Sequence, residues 1–145
     1  MAKENYTLHN VSVVYSPFGA ASFDCKEGIA ESGVTIAMAE DFGERVMGGD
    51  GTSMWSEYCS DHGTVTLNVN PYSPAYAFFI ALQNAQRAST TKGRDTMTIQ
   101  SSDLKEIITC AQCAIQSISG ETYDKAGSTV RVITINCGHI NRMAL

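Results

Sequence analysis

From Gly63 to Asn70 the chain reads GTVTLNVN, and Val65, Leu67 and Val69 alternate without a break with Thr64, Thr66, Asn68 and Asn70. A period of two places the apolar side chains on one face of a strand and the polar ones on the other, as in a half-buried strand. The β-branched and aromatic residues of 6–16 (YTLHNVSVVYS) predict another strand. AASFDCKEG and GVTIAMAE follow it across glycine-containing turns. Further strands are predicted over 95–102 (DTMTIQSS), 105–118 (KEIITCAQCAIQSI) and 128–140 (STVRVITINCGHI).

One segment breaks this period. Asn70-Pro-Tyr-Ser-Pro makes Ser73 an N-cap and Pro74 the first helical residue, where a missing N–H costs nothing. The predicted helix, about residues 73–87, gathers Tyr76, Phe79, Ile80 and Gln83 on one face, with Ala75, Phe78 and Leu82 beside them. A helix this apolar needs cover from its own sheet on one side and from a second subunit on the other. Tyr76, Phe79, Ile80 and Gln83 are therefore the candidate intersubunit face. The predicted class is mainly β: a sandwich or barrel of antiparallel strands flanked by one α-helix, in a single domain over 1–145. Long strands such as 105–118 leave edges to manage, either by closing the sheet or by pairing with a neighbour.

Composition narrows the function. No run of about 18 apolar residues exists, and MAKENYTLHN has no apolar signal core, so the expectation is a soluble protein made in the cytosol, with no membrane contact. The five cysteines read as reduced, small core residues. The net charge of −5 is unevenly placed: residues 1–70 hold ten acids and three bases, residues 71–145 five acids and seven bases. An acidic protein does not condense on a phosphate backbone, which argues against stable nucleic-acid binding. Segregated charge suits subunits stacked end to end.

Gly48-Gly49-Asp50-Gly51 superficially resembles a phosphate loop, but no lysine follows, and Glu44, Asp50 and Glu57 would repel phosphate. Gly48, Gly49 and Gly51 are better read as a structural turn. The acids around them do not have the spacing of a calcium loop. Loop 39–53, with Glu40, Asp41, Glu44, Arg45, Met47 and Asp50, is read as exposed. Met47, Met54, Trp55 and Tyr58 belong either to an intersubunit contact or to the subunit's own core. Cys110-x-x-Cys113 with Cys137-x-His139 has the count of a Cys₃His zinc site, so a small zinc-binding or redox module is the alternative. Against it, strand alternation sends Cys110 and Cys113 to opposite faces, and no glycine or proline makes the tight turn a zinc knuckle needs. His9, His62 and His139 lie in separate segments without a catalytic motif. No catalytic, metal or cofactor-binding residue is assigned and no cofactor is expected; the protein is not read as an enzyme.

In order along the chain, EGIAESGVTIAMAEDFGERVMGGDG, HGTVTLNVNPYSPAYAFFIALQNAQ and SSDLKEIITCAQCAIQS resemble the small tail-tube proteins of contractile-tailed bacteriophages. The matching pieces are Gly48 to Gly51, Gly63 to Leu67, Ser73 to Ala75 with Ala77 and Phe78, and Asp103 to Thr109. The resemblance spans nearly the whole chain. The fuller GGDG, the aromatic helix start and the extra cysteines depart from the family pattern. The resemblance implies a subunit of six-membered rings whose inner sheets join into a β-lined channel. Rings would stack into a tube inside a contractile sheath, and the fold would be kin to the type VI secretion tube protein. Implied partners are further copies of the chain and the tail sheath, tape-measure and baseplate proteins. Double-stranded DNA would pass through the lumen without stable binding. The implied location is the virion tail, after assembly in the host bacterial cytoplasm, with loop 39–53 touching the adjacent ring. A tail terminator or a baseplate hub component would share the same fold.

Overall fold

The computed structural model describes residues 11–16, 21–24, 29–90, 93–123, 125 and 130–144. The outer parts of three predicted strands (residues 6–10, 20 with 25–28, and 128–129) lie outside these, as do His9 and Cys25. The architecture is mainly β, a curled antiparallel half-barrel flanked by one helix. Its elements are β1 (Val11–Ser16), β2 (Ala21–Asp24), β3 (Ile29–Met38), β4 (Gly43–Met47), β5 (Ser53–Glu57), β6 (Gly63–Val69), α1 (Pro74–Ala88), β7 (Asp95–Ser101), β8 (Glu106–Ser119) and β9 (Arg131–Ala144). Seven strands form one sheet in the order β2-β1-β7-β8-β9-β6-β3, while β4 and β5 form a separate two-stranded sheet.

Alternation explains the core. Val65, Leu67 and Val69 of β6 and Ile133 and Ile135 of β9 are fully buried, and Leu67 stands opposite Ile133 in the ladder. Val13 and Tyr15 of β1 and Met97 of β7 close the other side. The helix seals one end of this half-barrel with Ala75, Phe79, Leu82 and Gln86, positions that recur on one stripe of a 3.6-residue helix. Pro74 opens the helix, but the Ser73 hydroxyl donates to the Asn70 carbonyl (2.9 Å) instead of capping an N–H.

A buried polar cluster ties the helix to the sheet. The Tyr15 hydroxyl donates to Asp95 Oδ2 (2.7 Å), and Gln86 Nε2 donates to the same oxygen (2.7 Å) and to the Tyr15 oxygen (3.0 Å). Gln86 Oε1 accepts the Ile115 N–H (3.1 Å), beside a register shift in β8 between Ile115 and Ser117. Burial first, and the contact with Asp95 second, push the Tyr15 phenol above its ordinary range.

β8 does not alternate throughout, and this corrects the expectation for Cys110 and Cys113. Between Met97↔Cys110 and Asp95↔Cys113 the strand carries one extra residue relative to β7, a bulge in which Gln112 takes φ 56°. The chain rolls over at that point, so both thiols enter the core. β9 rolls over at the same level, its buried positions passing from Cys137 to Ile140. Gly138 permits this: a Cβ there would lie 3.0 Å from Gln112 Cβ and 2.7 Å from its Oε1.

Candidate assembly surface

The segment read as loop 39–53 is, from Gly43 onward, the first half of a β-hairpin. β4 and β5 pair Arg45 with Trp55 and Val46 with Met54, and the Tyr58 N–H extends the ladder to the Phe42 carbonyl (2.8 Å). The turn is built by Asp50 and glycine. Gly48 N–H donates to Thr52 O (2.7 Å), Gly51 N–H to Gly48 O (3.1 Å), and Gly51 adopts φ 88°, which an L side chain resists. The Thr52 hydroxyl (2.7 Å) and N–H (3.1 Å) both donate to Asp50 Oδ1.

Those two bonds, the hydroxyl's first, hold the Asp50 carboxyl below its ordinary 3.8. The folded value is the lower one, so the turn is stabilised above pH 3.8 and loses that contribution as the pH falls through the folded value. A carboxyl-carbon NMR titration should place the Asp50 midpoint below that of an unstructured aspartate, and Thr52→Val should raise it. An unchanged midpoint in Thr52→Val would show that threonine is not the cause.

Period two sorts the hairpin into two faces. Phe42, Val46, Met54 and Tyr58 share one, and Arg45, Met47 and Trp55 the other, where the Arg45 guanidinium lies 5.9 Å from the indole centroid. None of these side chains is buried: Phe42 is 63% exposed, Met47 and Met54 61%, and Trp55 55%. Around them Glu40, Asp41, Glu44, Asp50 and Glu57 are exposed. A cleft of about 520 Å³ at the hairpin base is lined by Met38, Ala39, Glu40, Asp41 and Tyr58 and belongs to the same acidic surface. β6 carries the hairpin before its first residue and the helix after its last, so the two features sit at opposite ends of one strand. Exposed Arg87 lies in the last turn of the helix and exposed Arg94 just before β7, whose first residue, Asp95, is level with Gly63 through Cys113 and Cys137.

The four residues of the predicted helix face part company. Phe79 is fully buried in its own subunit's core, its ring 6.4 Å from that of Tyr15. This corrects its assignment to an intersubunit face: the inward stripe runs through Phe79, not beside it. Tyr76 is half-buried with Arg131 5.8 Å from its ring, Gln83 is half-buried and Ile80 is exposed. The thiols and His139 also separate. Cys110, Cys113 and Cys137 are buried together, while His139 is exposed and bonds Asp61 Oδ1 through Nδ1 (2.5 Å). Among the described residues no group of three or more His, Cys, Asp or Glu is placed to hold a metal ion.

The chain that folds into this half-barrel matches the family model of the bacteriophage PhiTE tail tube protein over residues 3–144. The chain belongs to the PhiTE tail tube family. No curated protein matches it. Among solved structures, the PhiTE tail tube fold of this chain is similar to the tube-terminating cap of the anti-feeding prophage, at 13% identity over 100% of this chain and 95% of that one, TM-score 0.65. It is similar to the sheath/tube terminator of the PVC extracellular contractile injection system in its extended state, at 14% identity over 99% and 100%, TM-score 0.68. The sheath-tube complex of the PVC system gives 12% identity over 97% and 93%, TM-score 0.60. These identities speak for the fold, and the family match makes the chain a phage tail structural protein.

Proposed function

We propose that this chain is a non-catalytic subunit that assembles with copies of itself into stacked rings, six to a ring, forming the inner tube through which phage DNA passes. The observation that carries this reading is the hairpin. A two-stranded hairpin is marginal alone in water, and this one holds four large apolar side chains more than half exposed. Seated on the next ring, these side chains would leave water. The acids around them would meet basic side chains of the neighbour in a head-to-tail contact that repeats. Main-chain pairing between edge strands β2 and β3 of adjacent subunits would close the ring. Exposed Ile80 and the outer part of Tyr76 and Gln83 would lie near that seam. An acidic protein suits a channel that must not retain phosphates, and sheath, tape-measure and baseplate proteins are the proposed partners within the virion tail, assembled in the host cytoplasm.

Electron microscopy of the purified protein tests this reading. Wild type should form long hollow tubes. Met54→Ser/Trp55→Ser should give isolated rings or free subunits with an unchanged circular-dichroism spectrum and melting temperature. Wild-type tube length in that variant would refute the docking role of the hairpin.

A second reading has its own support, since two of the similar structures are a cap and a terminator. A terminator stacks on one side only, so single or paired rings from the wild-type protein at every concentration would favour it.

A further inference from the structure

The tube role makes no use of the three thiols inside the subunit. The bulge at Gln112 turns Cys110 and Cys113 to the same side of β8, and Cys137 lies directly across from Cys113 in β9. All three are fully buried. Cys113 Sγ is 3.3 Å from Cys137 Sγ. Residues directly opposite in an antiparallel ladder have Cα atoms about 4.5 or 5.5 Å apart. Both values fall within the roughly 4.4–6.8 Å that a disulfide spans, so bonding needs side-chain rotation and no shift of either strand.

We propose that Cys113 and Cys137 form a redox site: hydrogen peroxide joins them in a disulfide that staples β8 to β9 mid-sheet, leaving Cys110 as the free thiol beside it. The step balances. One thiol sulfur attacks a peroxide oxygen, the O–O bond breaks, and a sulfenic acid and one water result. The second thiol sulfur displaces the hydroxyl, which leaves with the second thiol's proton as another water. Two sulfurs are each oxidised by one electron, and one peroxide is reduced. Burial makes the reaction slow, since peroxide enters only as the sheet opens locally. Cys59, exposed on the chain leading from the hairpin to β6, should react first.

Peptide mapping tests the site without disturbing it. Full-length protein is purified under reductant, freed of it, and incubated with hydrogen peroxide in native buffer. The wild type should yield a single intramolecular linked pair containing Cys113 and Cys137. A Cys25→Ser/Cys59→Ser variant, which keeps only the three core thiols, should lose about 2 mass units and fall from three free thiols to one. Three thiols still free after Cys59 of the wild type is fully oxidised would overturn the proposal. So would, in that variant, a link through Cys110, a link between chains, or oxygen addition in place of a disulfide.

Discussion

Phe79→Ala should cost the isolated subunit about 3–5 kcal/mol in urea unfolding, a large part of the stability of a typical domain. The ring is fully buried and meets Tyr15 (6.4 Å) and Phe78 (5.4 Å) edge to face. Alanine would leave a void where the helix seals the half-barrel, and β1 and the helix cannot both collapse into it. The result separates two roles for the residue. A ring packed against a neighbour would lose assembly and spare the unfolding midpoint. A ring packed in its own core loses the midpoint first, and assembly only as a consequence. A cost below about 1 kcal/mol would contradict the buried position.

Asp95→Ala should be nearly as damaging, at about 2–4 kcal/mol, although it removes a polar group from the interior. Asp95 Oδ2 accepts from both Tyr15 and Gln86, so truncation deprives two buried donors of an acceptor, at about 1–3 kcal/mol for each one left unsatisfied. Asn at the same position keeps a carbonyl oxygen and should recover most of the loss. Tyr15→Phe in the Asp95→Ala background should cost less than in the wild type, because the donor it deletes is already stranded. Equal costs in the two backgrounds would show that the cluster does not act as a unit.

What the sequence discloses depends on how local the governing rule is. β6 is legible because each of its side chains obeys the pleat, and the helix because proline and the apolar stripe announce it. The hairpin is harder to read. Its residues face water on both sides, so neither face imposes an apolar alternation, and the Asp50-Gly51 turn was its only local signal. The face of Phe79 is not legible because the helix is apolar over a wide arc; only the position of β1 and Tyr15 selects the inward stripe. The faces of Cys110 and Cys113 are not legible either, because alternation assumes an unbroken strand. The bulge is dictated by the pairing of β8 with β7, whose residues lie elsewhere in the chain. The exposed hairpin chemistry is likewise a property of what the fold leaves uncovered, and no single stretch encodes it.

The roll-over shared by β8 and β9 constrains how such a chain can diverge. Gln112 and Gly138 stand at one level of the ladder, the glutamine folded across the place where a side chain at 138 would begin. A larger residue at 138 would have to push the end of the Gln112 side chain aside and find a few tenths of an ångström against its Cβ, and losing the twist in one strand would turn its remaining inward residues outward. A substitution at either position is therefore felt first at the other, across the ladder and far from it in the chain.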